Sequence, residues 1–300
     1  MMTTDVNPQL KMQGRILSNE KLFAYSYVGL GGNARWMAFP HSKEDVALLM
    51  EWCSEQGVPC FVLGNASNTL ISDAGFPGLV ISLKEMSTEI LFRDDLVEVR
   101  GEIRLDKLVN KMYQKGLGGL EHFVGVPGLL MASLFNNAGA AGKGLCERLH
   151  SLTYVDLKGQ MQEIVSGEFD FSYRRGPLKE GVIVGAKLKA TQRNKKDIRN
   201  KIREHIQYRK KTQPLKSQSL GCVFKNPKSG FASQWIDKSG LKGRFLGDIE
   251  VSERHANFFL NHGQGTAKDY WALIQEVKEA VVKAHGIELN LEIQLLGEFE

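Results

Sequence analysis

The stretch Cys60-Phe-Val-Leu-Gly-Asn-Ala-Ser-Asn-Thr-Leu70 constrains the fold more than any other segment of this chain. Its apolar start, Cys60 to Leu63, reads as a short buried strand that runs directly into a turn of small and polar residues. A strand ending this way aims backbone N–H groups at an anion such as a diphosphate, and Ser67 and Asn68 add side-chain donors. No Lys-Ser/Thr follows, so this is not a Walker loop. The glycine spacing of a Rossmann dinucleotide fingerprint is absent as well. Taken alone the segment is also compatible with an ordinary turn, and its neighbours must choose between the two.

A chain of 300 residues is too long for one small core, so two or three domains are expected. Hydrophobic residues make up 42% and charged residues 24%, as in soluble globular proteins. No run reaches the ~18 consecutive apolar residues of a membrane span. The opening Met-Met-Thr-Thr-Asp-Val-Asn-Pro has no basic stretch followed by an apolar core, so no secretory leader and a cytoplasmic protein are expected. Cys53, Cys60, Cys146 and Cys222 form no CxxC pair and read as reduced thiols, with no metal site. The net charge of +5 suits anionic ligands, or simply a soluble surface. The basic run at 194–211 has interleaved acids, with Ile198, Ile202 and Ile206 at helical spacing. It reads as an amphipathic helix with a solvated basic face, not as a nucleic-acid patch.

The pattern of elements is α+β in three parts. The first, 1–83, has a helix capped by Ser42 and Asp45, with Val46, Leu49, Met50 and Cys53 on its apolar face and Gly57 at its end. Strands at 60–63 and 79–83 complete it. The second, 84–208, offers a strand at 96–100, a helix at 105–115 closed by Gly116, and a helix near 129–137. A hairpin over 152–164 and a strand at 182–190 precede the basic helix. The third, 209–286, holds a strand at 256–260 and a helix from Ala267 to His285 stopped by Gly286. A last strand over 289–296, within 287–300, is expected to return to the first part.

Further segments settle the reading of the first turn. Val28-Gly-Leu-Gly-Gly-Asn-Ala34 precedes it, and Ser72-Asp-Ala-Gly-Phe-Pro-Gly-Leu-Val80 follows. Next come Gly125-Val-Pro-Gly128 and Asn136-Asn-Ala-Gly-Ala-Ala-Gly142. The C-terminal region adds Gly221-Cys-Val-Phe-Lys-Asn-Pro227, Gly240-Leu-Lys-Gly243, His255-Ala-Asn-Phe258 and Leu291-Glu-Ile-Gln-Leu-Leu-Gly297. In this order, over residues 20 to 297, the set resembles the UDP-N-acetylenolpyruvoylglucosamine reductase family. The short gap between Arg174 and Cys222 leaves no room for an extra tyrosine-bearing loop, so the chain resembles the family's compact second subtype.

The resemblance implies a vanillyl-alcohol-oxidase-like fold, two α+β domains holding FAD non-covalently without a Rossmann unit, and a C-terminal α+β substrate domain. It implies an NADPH-dependent oxidoreductase of the bacterial cytoplasm, expected as a monomer. Its reaction would reduce the enolpyruvyl group of UDP-N-acetylenolpyruvoylglucosamine to UDP-N-acetylmuramate, a step in peptidoglycan precursor synthesis, cell shape and division. Carried over residue by residue, the cofactor set is Gly31, Gly32, Gly64, Asn65, Ala66, Ser67, Asn68, Gly125, Pro127, Gly128, Asn137, Ala138 and Gly139. The substrate set is Tyr173, Asn226, Lys242 and His255, and the catalytic set Arg174, Cys222 and Glu292.

The chain departs from the family at identifiable points. Cys222 stands where the family has serine. Ala66 replaces a glycine, and its methyl is expected to be tolerated only at negative φ. Leu129, Leu130 and Met131 follow Gly128, where the family favours a hydroxyl and small residues. Thr212 takes the place of a lysine before Gln213-Pro214. Each catalytic candidate also has a plain reading: an arginine over Tyr173, a small buried cysteine, a strand glutamate facing water. Three other functions use the same residues: an FAD oxidase of small alcohols or sugars, a cysteine hydrolase using Cys222 and His255, and a flavin-free nucleotide-sugar binding module.

Overall fold

The computed structural model describes residues 10–299. The opening octapeptide, read above for a leader, lies outside the described residues. The described chain divides into two compact units. The first comprises residues up to Asn19, Arg35–Gly64 and Gly78–Gln207; the second comprises Glu20–Ala34, Asn65–Pro77 and the chain from Tyr208 onward.

In the first unit, helix α1 (Lys43–Gln56) begins where the Ser42 hydroxyl accepts the Asp45 amide at 3.1 Å, and ends at Gly57 in the left-handed region, φ +61°. Asp45 does more than a capping residue. Its carboxylate accepts the amides of His41 at 2.8 Å and of Gln13 and Gly14 at 2.9 Å each, tying the incoming chain to the helix start. Burial alone would raise the Asp45 pKa; the amides of His41, Gln13, Gly14 and Ser42 outweigh it and hold the pKa below the usual carboxylate value. The expected face of α1 (Val46, Leu49, Met50, Cys53) is buried. Strand Cys60–Val62 runs parallel to Leu79–Ile81.

A five-stranded antiparallel sheet lies in the same unit, in the order Met161–Val165, Leu149–Val155, Val182–Lys189, Leu96–Arg100, Glu89–Arg93. Helix α2 (Leu105–Gln114) buries Leu105, Leu108, Val109 and Met112. Helix α3 (Leu130–Phe135) is shorter than the sequence pattern suggests, because Asn137 takes a left-handed φ of +44° and turns the chain away. Helix α4 (Lys195–Thr212) follows. The core runs from Trp36 and Leu49 through Leu108, Phe123 and Leu134 to Val184.

In the second unit a four-stranded antiparallel sheet has the order Gln218–Cys222, Phe258–Asn261, Ile249–Val251, Phe245–Leu246. Helix α5 (Ala232–Lys238) and helix α6 (Ala267–His285) pack with it around Phe224, Phe259, Tyr270 and Val277. Thr266 and Asp269 form a capping box at the start of α6, and Gly286 ends it at φ +67°. The last strand is regular only over Gln294–Leu296, parallel to Thr69–Ile71. Residues 290–293 instead make staggered bonds to 223–225, which breaks the ladder expected from Leu289 onward.

Candidate active site

The first unit carries Arg174 at the tip of a tight turn. Ser172 and Arg175 exchange backbone hydrogen bonds at 2.9 and 3.0 Å, leaving Tyr173 and Arg174 between them. Arg174 has φ +57°, a conformation that costs an L-residue about 1–2 kcal/mol and marks a position held by its surroundings. Its Nη1 donates to the Gly139 carbonyl at 3.4 Å, and the guanidinium lies 5.5 Å from the Tyr173 ring centroid. A Cβ at Gly139 would stand 3.0 Å from that Nη1. Tyr173 itself is exposed.

Asn137 is buried and tied down on both sides of its amide. Its Nδ2 donates to the Ser172 carbonyl at 2.7 Å, and its Oδ1 accepts the Cys146 amide at 3.0 Å. The Ala138 amide donates to Ser133 at 2.8 Å. The structure therefore brings Arg174 and the Asn137–Gly139 segment together, with the Asn137 side chain holding the turn. Gly125 sits at φ +72°. Gly128 accepts the Leu105 amide at 3.0 Å, while a Cβ on it would come 2.5 Å from Ser133 Oγ. Pro127 lies between them. A Cβ on Gly64 would stand 2.8 Å from that of Ala132 on α3. Gly64, Gly128 and Gly139 thus let Ala132, Ser133 and Arg174 pack directly against their main chain.

In the second unit, Cys222 ends strand Gln218–Cys222 opposite Phe258 and is half-buried. The next residue, Val223, accepts the Glu292 amide at 2.8 Å. Asn68 closes the group: its side chain donates to the Glu292 carbonyl at 3.2 Å, and its own carbonyl accepts the Gln294 amide at 2.8 Å. Cys222, Glu292 and Asn68 are thereby brought to one place, and Asn68, read as a cofactor contact, spends its amide on the Glu292 backbone. Asn65 and Ser67 are half-buried in the same turn. Ala66 corrects an expectation. Its φ is +47°, not negative, and its methyl is buried, so the turn keeps the left-handed geometry of a glycine at a cost of about 1–2 kcal/mol. Gly31, at φ +126°, has no room for a Cβ beside Ile71; the Gly32 amide donates to Ser72 at 2.8 Å.

The substrate candidates are also in the second unit, apart from Tyr173. Asn226 is exposed, and its Oδ1 accepts the Ala232 amide at 3.1 Å, fixing the start of α5. Lys242 pairs with Asp237 at 2.8 Å. His255 stacks edge-on against Phe258, 4.7 Å between centroids. Burial first, then the charge of Lys242, pushes its pKa down, so it tends to the neutral form. Thr212 caps its own helix by donating to the Tyr208 carbonyl at 2.9 Å.

Two residues were missed by sequence reasoning. Asn257 is buried, takes the Phe224 amide at 2.9 Å on Oδ1 and returns Nδ2 to the Phe224 carbonyl at 2.8 Å, so it registers the Cys222 strand. A lone amide inside the apolar run Ala256-Asn-Phe-Phe-Leu260 was its signal. Arg209 is not part of a solvated basic face: its Nε is buried and without a hydrogen-bond partner among the described residues, and Cys222 and Tyr27 lie within its electrostatic reach. Its position three after Ile206 continues the apolar stripe.

Comparison with known proteins places these features. A family profile described as an FAD binding domain matches residues 34–164, and one described as the C-terminal domain of UDP-N-acetylenolpyruvoylglucosamine reductase matches residues 213–296. Together with the fold they define an α+β flavoprotein without a Rossmann unit, with an FAD-binding domain and a C-terminal domain of the reductase type. The chain is 34% identical over 286 residues to UDP-N-acetylenolpyruvoylglucosamine reductase 2 of Symbiobacterium thermophilum, covering 95% of this chain and 93% of that protein. It is 35% identical over 290 residues to the reductase of Moorella thermoacetica, covering 96% and 95%. The crystal structure of the reductase from Thermus caldophilus matches with a TM-score of 0.80 at 30% identity, covering 95% of this chain and all of that one. The chain belongs to the UDP-N-acetylenolpyruvoylglucosamine reductase family, whose members are FAD-containing oxidoreductases. Among the described residues no helix is long and apolar enough to cross a membrane, and no group of three or more His, Cys, Asp or Glu side chains could hold a metal.

Proposed function

We propose that this protein reduces the enolpyruvyl group of UDP-N-acetylenolpyruvoylglucosamine to UDP-N-acetylmuramate, with NADPH as electron source and FAD bound non-covalently. The observation that carries the reading is the junction of the second unit, where Val223, the neighbour of Cys222, is bonded to Glu292 at 2.8 Å within a chain that belongs to this reductase family. The glycine-rich segments of the cofactor set would hold FAD, which, once reduced by NADPH, would supply a hydride for C3 of the enol ether.

Negative charge then develops at C2 and spreads into the adjoining carboxylate. Arg174, held at its turn against Gly139, is assigned to stabilise that charge, and Glu292 to orient or polarise the same group. Cys222 is assigned to deliver the proton to C2, its thiol S–H serving as a general acid in place of a hydroxyl. Lys242, Asn226, His255 and Tyr173 are assigned to the UDP-sugar, Lys242 as a point charge for the diphosphate. The cofactor set of the sequence reading is retained for FAD, with Asn68 and Asn137 acting through the backbone groups they anchor.

The same proposal includes three domains, 1–83, 84–208 and 209–286, with 287–300 returning to the first; the division of the compact units at Tyr208 supports the second boundary. It includes a monomer in the bacterial cytoplasm that binds no nucleic acid. Purified protein should be yellow, release its colour to the supernatant on acid denaturation, and be bleached anaerobically by NADPH. A colourless protein, colour retained by the precipitated chain, or bleaching by a plain alcohol instead of NADPH, overturns it.

A further inference from the structure

Glu102 is a carboxylate inside the first unit, 7% exposed, with no place in the chemistry above. One of its oxygens accepts two amides, that of Ile103 at 2.9 Å and that of Met131, in the first turn of α3, at 3.1 Å. Around it the two segments are laced by backbone bonds: Leu105 donates to Gly128 at 3.0 Å, Leu130 to Ile103 at 2.8 Å, and Arg104 bridges Leu129. The segment so held is Gly128–Met131, and the next residue, Ala132, abuts Gly64. The first-turn amide of Met131 is therefore satisfied by an internal carboxylate.

We propose that Glu102 is a positioning residue for FAD: it fixes the Gly128–Met131 segment from within and, when ionised, places behind it a negative charge that weakens retention of the cofactor's diphosphate. This rests on the FAD reading given above.

The charge of Glu102 changes within the neutral range. Burial, against the amides of Met131, Ile103, Ala132 and Leu130, pushes its pKa up to about 7. Other charged groups on the elements around it are mostly paired. Arg104 meets Asp106 at 2.8 Å, Arg100 meets Glu89 at 3.1 Å and Glu98 at 2.8 Å, and Glu85 meets Arg15 at 2.6 Å. Lys84 lies on the 83–85 turn, with its own pKa lowered by burial, Lys107 follows Asp106 on α2, and α3 carries no ionisable side chain.

The test is the rate at which holoprotein, diluted far below its FAD affinity, releases free flavin, followed by the rise in flavin fluorescence between pH 6 and 8.5. Release from the wild type should quicken as pH rises through about 7, and Glu102→Gln should remove that dependence. Because glutamine keeps an oxygen for the two amides while carrying no charge, the variant should hold FAD more tightly at pH 8, on the order of tenfold. A merely structural glutamate predicts the opposite: equal or faster release from Glu102→Gln with the same pH profile. The wild-type profile can be read even if the variant fails to fold, and release independent of pH overturns the proposal. Protein with no flavin at all overturns the FAD reading and this proposal together, whereas bound flavin with unchanged behaviour in Glu102→Gln overturns this proposal alone.

Discussion

The amide of Glu292 donates to the carbonyl of Val223 across 2.8 Å, which fixes the backbone of the C-terminal glutamate to the residue following Cys222. Asn68 locks the same carboxyl-bearing residue from its other side, at 3.2 Å. A site whose backbone is fixed in this way need not reorganise at the moment of reaction. Glu292→Gln, and Arg174→Lys in the first unit, should therefore lower kcat far more than they raise KM, each by about a hundred- to a thousand-fold, or about 2.7–4 kcal/mol. Steady-state kinetics give the split, and flavin reduction by NADPH should survive in both variants. Loss of bound FAD in either variant would show a structural role instead.

Cys222→Ser should keep substantial activity, because a hydroxyl at the same place can supply the same proton. Cys222→Ala should reduce its flavin with NADPH and then stall with substrate. Alkylation with iodoacetamide should inactivate the wild type, more slowly when substrate is bound, and should spare Cys222→Ser. A fully active Cys222→Ala would return this cysteine to its plain role as a small packing residue.

Asn257→Ala removes both bonds to the Phe224 backbone and leaves a buried amide and carbonyl unpaired. The expected loss is about 2–4 kcal/mol, at about 1–3 kcal/mol for each orphaned group less what relaxation recovers. Denaturant unfolding should show it. If stability is unchanged but catalysis falls, Asn257 acts on substrate and not on the strand that bears Cys222.

The sequence exposed most of this architecture and part of the site. Periodicity and caps found α1, α2 and α6 because each has an apolar stripe and a physical stop, such as Gly57 or Gly286, and α4 showed through the spacing of Ile198, Ile202 and Ile206. The final strand was read too long, since alternation along 289–296 does not reveal that Lys225 and Val223 divert residues 290–293 into staggered bonds. The positive φ of Ala66 and Arg174 was hidden, because both lie in turns whose geometry is imposed by contacts distant in sequence, such as Asn137 with Ser172. Glu102 was invisible for a similar reason: a glutamate before Ile103 looks like a surface residue until the chain places Met131 against it. The roles of Cys222 and Glu292 came from resemblance, whereas their connection through Val223 came from the structure.

Asp45 should set an acid limit on stability. Its pKa is lower folded than unfolded, so its contribution is present above the unfolded value of 3.8 and is lost as pH falls through the folded value. Asp45→Asn should destabilise the protein at pH 7 by about 1.5–3 kcal/mol, the worth of hydrogen bonds to a charged acceptor, and should show less additional loss below pH 4. Thermal melts of both proteins from pH 3 to 7 measure this. Parallel curves would assign the acid limit to other carboxylates.

The central claim is that electrons from NADPH reach an enolpyruvyl sugar nucleotide through this chain. Its most direct measurement is anaerobic: bleach the bound flavin with one equivalent of NADPH, remove the nicotinamide, add UDP-N-acetylenolpyruvoylglucosamine, and follow the return of the flavin absorbance. The account predicts full return with stoichiometric UDP-N-acetylmuramate in the wild type, and a bleached, stalled flavin in Cys222→Ala. A flavin that stays bleached in the wild type, or that recovers without forming that product, would contradict it.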